Sequence, residues 1–383
     1  MAENIDEIKK FLEKEEPWNY NFECESGNEE FLSLKTLERY FAYKASGKTH
    51  KCKYKNANSY IEDMRSKYEK VYDPDGSGSG NKFYPLTHAI YFALWGWKRN
   101  CGTFGDIGGD FPFAEEKNKY KFGSDTMNSV QSAFNELWKN ELSDILSRED
   151  SILLLPECIM VSIERMFERI QTEHDFCNAL AKRFQGTYLI EYIESYHTLG
   201  NLVLVPSGFN KDRGNGNILF SSPICKRGYE WNSNRERYEL KVYDYLDLSL
   251  EYLKENGYGK FKKDDFTPYI NYFFLWDWVT VDDHEKYQVK LIGMNEMGEK
   301  RNLSEFFDKT VKMIKRRGKF MTAMLIIAIY YPNLYENIRK FFLENIFQGI
   351  NGAAKRIFEK YQEEIAEERA VKLLKELVTE ELD

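Results

Sequence analysis

The run Phe320–Tyr331 (FMTAMLIIAIYY) constrains the fold more than any other stretch of this chain. A membrane-spanning helix needs about 20 apolar residues. This run stops short of that and is closed by Pro332. A segment hydrophobic on every side belongs inside a protein core, so the expectation is a buried helix. Such a helix needs neighbours, and the composition supplies them: 42% hydrophobic and 16% aromatic, with 26 Tyr and 27 Phe. Disordered chains are poor in aromatics, so this one is globular. Its 383 residues suit two or three domains at about 100–200 residues each.

Most of the remaining sequence repeats apolar residues at three- and four-residue spacing, the signature of amphipathic helices. Ile5, Ile8, Phe11 and Leu12 mark a helix over 4–16, and two more are expected near 28–46 and 56–71. The run DPDGSGSGNK at 73–82 is rich in Gly and Ser and is the clearest candidate boundary. Residues 83–97 (FYPLTHAIYFALWGW) form an apolar helix with Pro85 suited to its first turn. A glycine-rich surface loop (CGTFGDIGGDFPF) is expected at 101–113, and helices at 124–147, 157–195 and 233–256. Residues 264–279 (DDFTPYINYFFLWDWV) suggest an aromatic core helix broken near Pro268. The chain from 303 onward is expected to be wholly helical, ending in one long amphipathic helix over 352–381. That gives an N-terminal helical region at 1–72, a central region at 83–260 and a C-terminal helical region at 261–383. Fold class is mainly α with a small central β-hairpin (α+β).

The net charge of −8 argues against a protein that coats nucleic acid without preference, since such proteins are usually basic. Nucleic-acid contact would come from a local basic patch on an acidic body. None of the six cysteines sits in a CxxC pair or a Cys/His array, so a structural zinc site is not expected. The opening MAENIDEIKKFLEKEE has acids and no apolar stretch of the signal-peptide kind. Free thiols and the absence of such a leader point to a cytoplasmic protein without membrane contact. The terminal helix, long and charged, reads first as a packing helix with a solvated face, and second as a surface for a protein partner or a second copy.

The pattern breaks at Tyr196–Phe220, YHTLGNLVLVPSGFNKDRGNGNILF. LGNLVLVPSGF mixes β-branched residues, Gly and Pro and reads as strand, turn and second strand. Asn210, Lys211, Asp212, Arg213, Asn215 and Asn217 follow in a loop that burial does not explain. These residue types suit phosphodiester chemistry. A histidine such as His197 can take a proton from water near neutral pH. Carboxylate and amide oxygens hold hard divalent ions. Arginine grips phosphate through a bidentate fork. Asn201 can orient a histidine ring. The same residues also make a plain hairpin, in which Gly supplies positive φ and Asn caps the turn.

The segment resembles the HNH-like (ββα-metal) domain of GmrSD-type, modification-dependent restriction enzymes. HTLGNLVLV at 197–205, Gly208-Phe209-Asn210 and Asn215 fall in that family's order, with Phe220 two residues late. The family places a Glu-His-Ile-x-Pro motif upstream; here Glu173-His174-Asp175 stands, with Asp for Ile and no Pro after it. The segment is also similar to uncharacterised bacterial proteins sharing HTLGN…FN…RG, for which no activity follows.

The resemblance implies a metal-dependent nuclease, or a nuclease-derived protein, of bacterial antiphage defence. His174, His197 and Asn201 are then the catalytic candidates. Asp175, Asn210 and Asn215 would hold Mg²⁺ or another divalent ion, and Lys211 and Arg213 would meet phosphate. The implied substrate is nucleic acid, DNA ahead of RNA. The competing expectation is a non-catalytic helical interaction or regulatory protein in which 196–220 is a structural hairpin.

Overall fold

The structure is a computed structural model. It describes residues 2–20, 22, 85–101, 104–107, 122–126, 188, 191, 195, 197–206, 229–232, 237–240, 267–290, 292, 297, 301 and 303–380. The helices expected near 28–46 and 56–71, the boundary at 73–82 and most of 157–195 lie outside these residues. Within them the chain is mainly α with small antiparallel β elements.

Helix α1 (Ala2–Leu12) turns Ile8, Phe11 and Leu12 inward. A 3-10 turn, Pro17–Asn19, buries Trp18. Helix α2 (Pro85–Trp95) begins on proline and ends on Gly96, whose φ of 65° favours glycine. A four-stranded antiparallel sheet follows in the order β1 (Trp97–Cys101), β2 (Phe104–Ile107), β3 (Phe122–Thr126), β4 (Leu202–Pro206). A separate two-stranded pair is β5 (Tyr229–Asn232) and β6 (Arg237–Leu240). Next come α3 (Thr267–Tyr272), a 3-10 turn at Trp276–Trp278, and the hairpin β7 (Val279–Val281) and β8 (Tyr287–Val289).

The C-terminal part is helical: α4 (Leu303–Tyr330), α5 (Pro332–Leu343), α6 (Gly349–Tyr361) and α7 (Glu368–Thr379). Helix α4 is the buried helix its apolar run requires. Phe320, Met321, Met324, Leu325 and Ile327 are all fully enclosed. Pro332 both stops α4 and starts α5, because its ring disfavours helical backbone at Tyr331 and fits a first helical turn. Residues from all three expected regions share one core around α4, among them Ile8, Trp18, Leu94, Leu202, Trp276 and Leu374.

Several expectations change. The stretch 352–381 is two helices, α6 and α7, separated at Gln362–Glu367, rather than one. Two shorter helices let Ile357, Tyr361, Leu373, Leu374 and Leu377 all reach the core. The apolar face of α7 is thus covered within the chain by α4 and α6. Of the stretch 264–279, the described residues 267–279 form one short helix, α3, which holds Pro268 in its first turn instead of breaking there, before the chain turns through Phe274 at φ 58° into the Trp276–Trp278 turn. The start of 124–147 is strand, as is 237–240 within 233–256, because cross-strand pairing overrides weak local helix preference. Phe104–Ile107 of the glycine-rich run is strand as well.

Candidate functional site

The described part of the candidate segment is a tight turn leading directly into a strand. Leu199–Asn201 is a single 3-10 turn, and Leu202 opens β4. The turn is wound by local bonds. The Thr198 hydroxyl donates to the Ser195 carbonyl at 2.7 Å, and the Asn201 amide donates to the Thr198 carbonyl at 3.0 Å. The Phe22 amide donates to the His197 carbonyl at 3.0 Å, tying the turn to the N-terminal segment.

Gly200 is required here by close approach. A Cβ on it would lie 1.8 Å from the Ile314 carbonyl oxygen and 2.8 Å from the Gly318 amide nitrogen, both on α4. Gly318 answers from the helix side, where a Cβ would meet the Trp18 Cβ at 2.9 Å. Turn, helix and the Pro17–Asn19 turn therefore cross at two glycines.

One residue beside this crossing, Arg317 is wholly enclosed and grips the turn. Its Nη1 donates to the carbonyls of Gly200 at 2.7 Å and Leu202 at 2.8 Å. Its Nε and Nη2 both donate to the Phe273 carbonyl, just past the end of α3, at 3.0 and 2.9 Å. A helix C-terminal end carries partial negative charge, which suits a cation. Burial pushes the guanidinium down to about 9, with Tyr91 and Tyr269 opposing the shift, so Arg317 is a cation at neutral pH.

The strand β4 pairs with β3 along one edge, with Val203 opposite Asp125 and Val205 opposite Gly123. Carbonyls two residues apart leave a strand on the same side. Leu202 and Leu204 carbonyls are captured there by side chains: Arg317 takes the first, and the Tyr269 hydroxyl takes the second at 3.0 Å. That edge of β4 is occupied from the core.

Arg316, also enclosed, faces elsewhere. Its Nε lies 3.2 Å from Asp277 Oδ2, an ion pair whose angle falls short of a hydrogen bond. Its Nη1 donates to the Glu380 carbonyl at 2.6 Å, while the Lys319 ammonium meets the Glu380 carboxylate at 3.1 Å. The other Asp277 oxygen accepts the Ile350 amide at 2.9 Å, capping the start of α6. Burial raises the Asp277 carboxyl above its ordinary value, opposed chiefly by Arg316.

Of the candidate residues, the structure places two. His197 is 5% exposed and Asn201 is fully buried. A base must reach its substrate within about 2.6–3.2 Å, and both side chains are enclosed in the turn that packs on α4. His174, Asp175, Asn210, Lys211, Arg213 and Asn215 lie outside the described residues. Among the described residues no three His, Cys, Asp or Glu side chains are grouped to hold a metal. Of the other histidines, His88 is half-buried with its ring edge-on to Trp97 at 5.2 Å, and His284 lies on the exposed β7–β8 turn.

The two arginines are the residues that sequence reasoning passed over. A signal was present: Arg316-Arg317-Gly318 stands between Ile314 and Phe320, inside an apolar helix. Glycine inside a helix costs about 1 kcal/mol relative to alanine, so its presence there points to a close crossing. No protein-family model, curated protein or solved structure matches this chain.

Proposed function

We propose that this chain is a metal-dependent nuclease, or a nuclease-derived protein, of bacterial antiphage defence, with the HTLGN turn as its scaffold. The observation that supports the reading is that HTLGNLVLV takes the form of a turn leading into an antiparallel strand. A ββα-metal element needs such a strand to deliver its downstream loop. In this reading His174 activates water, and Asp175, Asn210 and Asn215 hold Mg²⁺ or another divalent ion. Lys211 and Arg213 neutralise the phosphate, in DNA ahead of RNA. His197 and Asn201, enclosed in the turn, serve as scaffold rather than as proton carriers.

The test is nicking of plasmid DNA and of RNA with Mg²⁺ or Mn²⁺. Wild type should cut, and His174→Ala should abolish cutting while melting at the wild-type temperature. His197→Ala should lose stability in parallel with activity. Equal cutting by wild type and His174→Ala would sink the assignment.

A second reading has an observation of its own. The burial of His197 and Asn201 and the grip of Arg317 are what a purely structural hairpin would show. The chain is then a non-catalytic interaction or regulatory protein, cytoplasmic, meeting a protein partner or a second copy. Because the apolar face of α7 is covered, contact through the C-terminal helix would use its charged face, with Lys372 and Lys375 exposed. Among the described residues no helix is long and apolar enough to cross a membrane.

A further inference from the structure

We propose that Arg317 and Tyr269 are positioning residues of the candidate site, holding the outer edge of β4 so that the chain beyond Pro206 starts from a fixed point. The functional half of this inference rests on the nuclease reading; the structural half does not. Neither residue belongs to the 196–220 motif, and both come from C-terminal helices.

The geometry supplies the reason. The carbonyls of Gly200, Leu202 and Leu204 are each captured by one of these two side chains. Among the described residues β4 ends its sheet, and an edge strand ordinarily leaves such groups open to water or to another chain. Here they are bound to core side chains. Arg317 also holds the Phe273 carbonyl, and Tyr269 and Phe273 lie together in and just after α3. The edge of β4 is therefore fixed against α3 and α4 together, independently of its pairing with β3. A guanidinium can serve three carbonyls on two segments at once because its donors form a rigid fork. Lysine has a point-like ammonium and cannot reproduce that geometry.

The experiment compares full-length wild type with Arg317→Lys, with Tyr269→Phe as a milder second variant and Arg316→Lys as a control in the same helix. Peptide-resolved amide exchange is measured over 199–206 and over α6 and α7, alongside Mg²⁺-dependent nicking. Arg317→Lys should speed exchange over 199–206 by about tenfold or more, leaving α6 and α7 within about twofold. Tyr269→Phe should do the same to a smaller degree, and Arg316→Lys should leave 199–206 at the wild-type rate. In nicking, Arg317→Lys should lower kcat about tenfold with KM within about twofold, the mark of misplacement rather than lost substrate binding.

Faster exchange spread evenly over the molecule, or none over 199–206, would overturn the positioning role. Should Arg317→Lys fail to fold, Tyr269→Phe decides on the same criterion. If exchange responds locally but wild type cuts nothing, the nuclease reading fails and the positioning of β4 stands. If wild type cuts and kcat ignores Arg317→Lys, the functional half is wrong.

Discussion

Arg316 and Arg317 are neighbours on one helix, and both are removed from water, yet they are stabilised in different ways. Arg316 lies against a carboxylate, Asp277, and donates to the carbonyl of Glu380, the residue just past the end of α7. Arg317 meets no carboxylate among the described residues and is held by backbone carbonyls of the candidate turn and of the chain just past α3. Isolated ions are costly to bury unless charge or dipoles replace water. An ion pair does this on one side of α4 and aligned carbonyl dipoles on the other. The Arg316 side therefore has a carboxylate that can titrate between acid and neutral pH, whereas the titratable neighbours of Arg317 are the phenols of Tyr91 and Tyr269, which stay neutral in that range.

This contrast can be broken by substitution. The largest effect is expected at the crossing beneath Arg317. Gly200→Ala would force a Cβ into the backbone of α4, so unfolding by denaturant should show a loss of about 5 kcal/mol, at the extreme of single substitutions. Arg317→Met removes the guanidinium donors from three buried carbonyls, at about 1–3 kcal/mol each, and should cost about 4 kcal/mol. Arg316→Met strands Asp277 and should cost about 3 kcal/mol near pH 8. Exposed pairs such as Lys355–Glu359 should matter least. Lys355→Ala should shift stability by no more than about 0.5 kcal/mol.

The pH dependence of Arg316→Met follows from Asp277. Burial already raises its carboxyl above the unfolded value, and Arg316 is the chief opposing influence. Without Arg316 the folded carboxyl holds its proton to higher pH than the unfolded one. Stability is then greatest below the unfolded carboxylate range, about 3.9 for Asp, and falls as pH rises through the raised value. The variant should thus lose more stability near pH 8 than near pH 5.

The parts of this fold legible in the sequence are those set by local chemistry. Pro85 and Pro332 mark helix starts, and the apolar run is buried from Phe320 to Ile327, with Tyr330 at its end exposed. The break in helical pattern at 197 is a real turn and strand. What periodicity could not show was pairing at a distance. The partner of β4 is Phe122–Thr126, a stretch with helix-compatible spacing, and the second strand expected within 207–220 lies outside the described residues. The gap between α6 and α7 was hidden because both sides carry the same apolar spacing. Of the candidate site, the motif's local turn was legible. Its anchor was not, because Arg317 is more than a hundred residues away and looks, by charge alone, like a surface residue.

The most direct test of the two-arginine contrast is denaturant unfolding of wild type, Arg316→Met and Arg317→Met at about pH 5 and about pH 8. A clamp made of carbonyls predicts a loss for Arg317→Met that agrees at the two pH values within about 0.5 kcal/mol, while the Arg316→Met loss grows by at least about 1 kcal/mol toward pH 8. A loss for Arg317→Met below about 1 kcal/mol, or one that follows pH as the Arg316→Met loss does, would contradict it.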